Sequence, residues 1–329
     1  MTTTPQTNAT LEQIAHIILE HDSFAICGHV SPDGDCLGSQ LALWHALRSL
    51  GKQATCLLVR DEPIARSLSF MPGIDQMIHA SAYAGEPEVF VGVDVPSRER
   101  IGEDACAVLD GCSTSITLDH HAYDMAMCQH VYVDPDSASA SMIIWELVKT
   151  LCDEPPVESA LCAYTGIVTD TGGFRFQNSD ESAFIVAGEL VGFGVDPAFV
   201  ATNVFQSRTL ASVKLEAVML DRIQLNTEHR YAISYIVEKD YEETGASKSD
   251  AEPLIDALRS ICDLRVACML REQDGVVRGS LRAKDETDVA SLARELGGGG
   301  HKAAAGLTLH MTIEEAIELM HAKIAGLLG

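Results

Sequence analysis

Along the first half of the chain, short apolar runs alternate with stretches whose apolar residues recur at helical spacing. Phe24–His29, Thr55–Val59, Val89–Val93 and Ser115–Leu118 are the strand-like runs. Leu37–Leu50 carries the helical period and stops at Gly51, a residue suited to close a helix. Ser139–Leu151 and Val157–Val168 read as consecutive helices. A mainly helical stretch then runs from Glu181 to about Asp221, punctuated by Gly192-Phe193-Gly194 and Pro197. This alternation predicts an α/β fold, with a mostly parallel sheet covered by helices on both faces.

The rhythm changes after Leu225. Arg230–Val237, Arg265–Arg271 and Val276–Arg282 read as strands, the last two joined by a hairpin turn at Asp274-Gly275. Helical runs lie at Asp250–Ser260, Asp288–Leu296 and Thr312–Leu328. The expected organisation is a first domain over 1–195, a helical linker over 196–225, and a second, smaller α/β domain over 226–329 across a cleft. A length of 329 residues suits two such domains.

Composition removes several classes of function. With 47% hydrophobic residues the chain is not disordered. No segment approaches the roughly 18 apolar residues that span a bilayer, so no membrane association is expected. Met1–Thr10 is polar and predicts a short disordered tail rather than a signal peptide. Ten cysteines without a C-x-x-C pair argue against a zinc ribbon or a thioredoxin-like motif, and Cys56, Cys162 and Cys268, lying in apolar runs, read as small core hydrophobes of a reducing, cytoplasmic setting. A net charge of −25 opposes binding to long nucleic acids, whose non-specific affinity rests on Lys and Arg. Long-duplex binding is therefore not expected, whereas a small phosphate-bearing ligand in a locally positive site remains open.

Candidate chemistry gathers at four places in the first domain. His29-Val-Ser-Pro-Asp33-Gly-Asp35 follows the first strand, and reads equally as a helix-capping polar turn or as a set of metal ligands. Asp94 closes an otherwise apolar strand, where no packing reason calls for an acid. Asp119-His120-His121 follows Ser115–Leu118, and adjacent histidines can serve a metal and a substrate separately. Asp170 lies among Gly and Thr after a helical run. Open α/β sheets bind ligands at the carboxyl ends of their strands. Histidine and carboxylates without thiolate suit manganese better than a structural zinc, and so many acids together would repel one another without cations. Enough ligands are present for two ions, an arrangement suited to displacement at phosphorus.

In order and spacing these segments resemble the four motifs of the DHH phosphoesterase superfamily. Gly297–Gly306, containing Gly298, Gly299, Gly300, His301 and Lys302, resembles the signature of its first-type DHH-associated domain. Size and domain order resemble the NrnA subgroup, which joins oligoribonuclease and 3′-phosphoadenosine 5′-phosphate phosphatase activities. The resemblance implies two manganese ions, with magnesium or cobalt as substitutes. One would be held by His29, Asp33 and Asp94, the other by Asp35, Asp94, His120 and Asp170, with Asp94 shared. It further implies that Asp119 orients a histidine, that His121 faces the scissile phosphate, and that a hydroxide between the ions attacks.

The implied substrates are RNA or DNA oligonucleotides about two to five nucleotides long, linear dinucleotides and small nucleotides. A single-strand exonuclease, a cyclic or linear dinucleotide phosphodiesterase, and a nucleotide-binding sensor without turnover are the alternatives. A homodimer is compatible with all of these. In the second domain, glycines free of side chains let backbone N–H groups approach an anion, with His301 and Lys302 as added donors. Arg282, ending its strand, is a candidate phosphate clamp. Arg265, Arg271 and Arg278 are left ambiguous by strand alternation, a solvated face being the simpler reading.

Overall fold

A computed structural model describes residues 7–122, 125–251 and 253–329. The first six residues of the expected N-terminal tail lie outside that range. The rest of it is ordered. Thr7 and Asn8 hydrogen-bond to residues 129–133, and Thr10 caps a helix through a reciprocal box with Gln13.

The chain divides into two compact units, Met1–Ser207 and Arg208–Gly329. The helices of the expected 196–225 linker fall one into each.

In the first unit the strands are β1 (Ser23–Cys27), β2 (Gln53–Leu58), β3 (Ile78–His79), β4 (Val89–Val93), β5 (Thr114–Asp119) and β6 (His130–Val133). The helices are α1 (Leu11–Glu20), α2 (Gly34–Ser49), α3 (Gly102–Gly111), α4 (Ala140–Leu151), α5 (Val157–Asp170), α6 (Glu181–Gly192) and α7 (Pro197–Phe205). Every strand pair is parallel, in the order β3-β2-β1-β4-β5-β6. β1 and β4 are neighbours from which the chain departs in opposite directions. The crevice at their carboxyl ends is the switch point where sheets of this kind bind ligands.

Helix α2 begins three residues earlier than its periodicity suggests, because the Asp33 side chain accepts from the N–H groups of Asp35 and Cys36 and starts the helix at Gly34. Apart from its C-terminal turn, α2 is almost wholly buried, between the sheet and α4 and α5. Small residues permit that approach. A methyl group at Gly38 would lie 2.6 Å from the Cys162 carbonyl oxygen, and one at Gly166 only 1.9 Å from Ser141 Oγ. Close seating of α2 on α4 and α5 brings Asp35 and Asp170 to the same end of the sheet. No single helix among the described residues is long and apolar enough to cross a membrane.

The second unit holds α8 (Leu210–Asp221), β7 (Gln224–Asn226), β8 (Tyr231–Ile236), α9 (Glu238–Thr244), α10 (Leu254–Arg259), β9 (Val266–Gln273), β10 (Val276–Ala283), α11 (Val289–Glu295), β11 (Gly299–His301), β12 (Ala304–Leu309) and α12 (Ile313–Leu328). Its sheet is mixed, in the order β11-β12-β10-β9-β8-β7, with β8 and β9 parallel and the other pairs antiparallel. Asp274 and Gly275 both take positive φ between β9 and β10, the tight turn their sequence predicts. Helices α11 and α12 cover one face of this sheet, and α8 and α10 the other.

Candidate metal centre

Three loops and two helix ends meet at the switch point. Gly28 and His29 follow β1, and a side chain at Gly28 would collide with Cys36 Sγ at 2.1 Å, so glycine lets the loop press against α2. Asp94 follows β4 with φ +52°, in the left-handed region that Asp and Asn tolerate better than most residues. Its N–H donates to the Leu118 carbonyl at 3.0 Å, which extends the β4–β5 ladder and pins the strained residue. The carboxylate is 2% exposed and central to the cluster. Asp94 Oδ2 lies 3.4 Å from His29 Nε2, and Asp94 Oδ1 lies 3.5 Å from His120 Nε2 and 3.4 Å from His121 Nδ1.

Asp119 folds the turn after β5 back on itself. Its Oδ1 accepts from the N–H groups of His120 and His121 at 2.7 and 3.1 Å, and from His121 Nδ1 at 2.8 Å. A carboxylate can only accept, so His121 carries hydrogen on Nδ1. His120 is fixed differently. Its Nδ1 donates to the Ser137 carbonyl at 3.2 Å, which leaves Nε2 directed at acids. Asp35 Oδ2 is 3.8 Å from that nitrogen and Asp170 Oδ2 is 4.0 Å from it.

Asp35 lies in the first turn of α2, buried, and its two oxygens accept from Ala140 N–H at 2.7 Å and Ser141 N–H at 2.9 Å. These are the first amides of α4, so a helix N-terminus steadies the charge. Asp170 ends α5, two residues beyond the helix expected from sequence, and Asn178 Nδ2 donates to its carbonyl and to its Oδ2. Asp33 is the most exposed member. One of its oxygens caps α2 and lies 3.9 Å from His29 Nε2, so the capping and clustering readings of this turn hold together.

Electrostatics show what this arrangement lacks. Burial pushes the Asp35 carboxyl up to about 7, with the Asp94 charge adding to it. Burial also opposes charge on Asp94 and on His120. Their mutual attraction overrides it, lowering the Asp94 carboxyl and raising the His120 imidazole well above its usual value. A proton on His120 thus does what a cation would do among these acids. Asp94 Oδ1, Asp119 Oδ2 and His29 Nδ1 are buried without a hydrogen-bond partner. One oxygen or nitrogen each from Asp35, Asp94 and His120 lie within 4.8 Å of one another, a span that a divalent ion can bridge. The donor set fits a hard or borderline divalent cation.

In the second unit the glycine-rich segment is an edge strand. Gly298 and Gly300 are required by close pairing, since a methyl on either would come within 2.1 to 2.5 Å of the Gly306 or Ala304 carbonyl oxygen, whereas Gly299 faces open space. Lys302 Nζ is 2.5 Å from Glu286 Oε2, so its charge is already partnered. Arg278, Ser280 and Arg282 alternate on one half-buried face of β10, and Arg271 stands opposite Arg278 on β9. Three arginines therefore share a face, while Arg265 is tied to Asp285 at 2.6 Å.

The comparisons with known proteins agree with this geometry. Residues 23–167 match the model of the DHH family, N-terminal domain, and residues 228–326 match that of the DHHA1 domain. The chain belongs to the DHH family. It is 30% identical over 294 residues to the bifunctional oligoribonuclease and PAP phosphatase NrnA of Thermus thermophilus, covering 89% of this chain and 86% of that one. The Bacillus subtilis protein of the same name is 28% identical over 302 residues, covering 91% and 93%. A crystal structure of an exopolyphosphatase-related protein from Bacteroides fragilis superposes with a TM-score of 0.90 at 26% identity, over 97% of this chain and 96% of that one.

Within this DHH-family chain, sequence reasoning missed three contributors to the centre. Ser137 acts through its carbonyl, which leaves no mark on residue type. Asn178 bridges Asp170 and the Ala138 carbonyl from a loop without periodicity. Cys36 brings sulfur to the cluster and was hidden by its place beside Asp35, in what reads as the start of a core helix.

Proposed function

We propose that this DHH-family phosphoesterase hydrolyses short oligonucleotides, linear dinucleotides among them, to mononucleotides, and 3′-phosphoadenosine 5′-phosphate to AMP. His29, Asp33 and Asp94 would hold one cation, and Asp35, Asp94, His120 and Asp170 a second. Manganese suits this donor set best, with magnesium and cobalt as substitutes. When bound, such cations supply Lewis-acid activation of water and neutralise charge on the phosphoryl group. The observation that carries this reading is His120, whose Nδ1–H is fixed on a carbonyl while Nε2 faces three carboxylates.

The chain's own groups then have distinct tasks. Asp119 holds the His121 ring by its Nδ1–H, which orients Nε2 as the atom that would pass a proton to the ester oxygen leaving phosphorus. Asp94 is shared between the two ligand groups. Arg282, His301 and the open backbone at Gly299 are proposed to hold phosphate remote from the scissile bond, with Lys302 contributing once released from Glu286. A surface of strong negative charge favours short substrates over long polymers. Ten unpaired cysteines support a reducing, cytoplasmic setting.

The test is incubation with manganese and a 5′-labelled dinucleotide, beside 3′-phosphoadenosine 5′-phosphate, pyrophosphate and an RNA series that runs from the dinucleotide past the roughly 4–16 nucleotides that a single-strand-binding fold covers. Mononucleotide and AMP release is expected, with turnover falling as length grows. Binding without release would make the protein a sensor. Preference for the longest RNA would make it a processive exonuclease.

A further inference from the structure

We propose that Cys36 is a soft donor at the His29–Asp94 end of the centre, so that the chain binds thiophilic divalent cations such as cobalt, zinc or cadmium through sulfur as well as nitrogen and oxygen. This rests on the cation-binding reading above and adds a ligand type foreign to it. Cys36 Sγ, a ring nitrogen of His29 and a carboxylate oxygen of Asp94 all lie within 4.8 Å of one another. The three residues are 0%, 6% and 2% exposed. His29 Nδ1, on a side chain more than nine-tenths buried, has no hydrogen-bond partner, and Asp94 Oδ2 lies 3.4 Å from Nε2 of the same ring.

The thiol is held in place rather than merely nearby. Cys36 N–H donates to Asp33 Oδ1 at 3.0 Å, and the residue belongs to the first turn of a helix buried along most of its length. Its sulfur abuts Gly28, where a methyl group would meet it at 2.1 Å, so it cannot swing to solvent on that side. Among the described residues, no other cysteine joins a comparable group of ligands. Carboxylates suit manganese and magnesium, whereas thiolate with imidazole suits zinc, cobalt and cadmium. As the sulfur–metal bond forms, the thiol proton leaves to solvent and the metal keeps its oxidation state. Which cation occupies this end thus follows which donor it prefers: oxygen for manganese, sulfur for a thiophilic ion.

The experiment titrates the metal-free full-length protein with cobalt(II) and follows absorption. Sulfur-to-cobalt charge transfer in the near ultraviolet is expected beside the weaker ligand-field bands. It should vanish in Cys36→Ala and Cys36→Ser, and persist in Cys262→Ala, which removes an exposed thiol. Cobalt affinity should fall by about tenfold or more in Cys36→Ala, since loss of outer support alone weakens metal sites 10–100-fold. X-ray absorption on the wild-type cobalt protein reads the same point without a variant, by one sulfur scatterer. Ligand-field bands without charge transfer, or a band that survives in the Cys36 variants, would overturn the inference and leave the cation-binding reading intact. Absence of any bound cobalt would overturn both.

Discussion

The two units bury charge by different means. In the first, His29, Asp35, Asp94, Asp119 and His120 are each less than a tenth exposed and gather around one another. In the second, the one fully buried acid among the described residues is Asp240, and Arg222 grips it from two nitrogens, at 2.5 and 2.8 Å, while the Val237 N–H takes a further lone pair. An arginine is always charged and fits a carboxylate bidentately, so that pair is complete within the chain. A histidine offers half a solution. It neutralises an acid only while protonated, and in its neutral form presents a lone pair where the acids need positive charge. The buried acid of the second unit is neutralised by that unit's own arginine, whereas the acids of the first are offset by histidines, leaving room for an ion from outside.

Three measurements can break or sharpen that contrast. The largest effect is expected at Asp94. Asp94→Asn keeps a residue that tolerates φ +52° and removes the charge proposed to be shared by both ligand groups, so turnover with manganese should fall about a thousandfold. The same change at Asp33, the most exposed acid, should reduce it less. Near-normal turnover in Asp94→Asn would remove the shared-ligand assignment.

Next comes metal removal, read by calorimetry. Manganese at a hundredfold excess over its dissociation constant should stabilise the first unit by about 2.7 kcal/mol and leave the transition of the second unmoved. Equal shifts in both would mean that buried charge does not distinguish them. The smallest effect is expected at Arg282. Arg282→Ala should raise KM for a dinucleotide about tenfold with little change in kcat, as for lost uniform binding. A fall in kcat alone would move Arg282 from substrate binding into the chemistry.

Much of the fold was legible because α/β units write their periodicity plainly. The strand runs ending near Gly28, Asp94 and Asp119 mark the carboxyl edge of the sheet, and acids there stand out against apolar strands. Helix boundaries were less legible. Asp35 reads as a loop residue, yet Asp33 starts the helix early and carries Asp35 into its first turn, where α4 supplies two amides. Such a contact spans about a hundred residues of sequence and has no local signal. β6 and the short β12 lack long apolar runs and passed unnoticed, although β12 pairs with the glycine strand. A glycine run alone cannot distinguish an anion cradle from close strand pairing. The structure shows that Gly298 and Gly300 serve the pairing and leaves Gly299 open.

The crowding around Asp94 also bears on how long the protein survives in a cell. Buried carboxylates offset only by titratable histidines would favour local opening of the loops after β1, β4 and β5, and proteases act on opened chains. With the proposed cations bound, mass action would close that route, and metal starvation would leave it open. Abundance of this chain should therefore follow the divalent metal supply even where transcription does not, through turnover of the polypeptide itself.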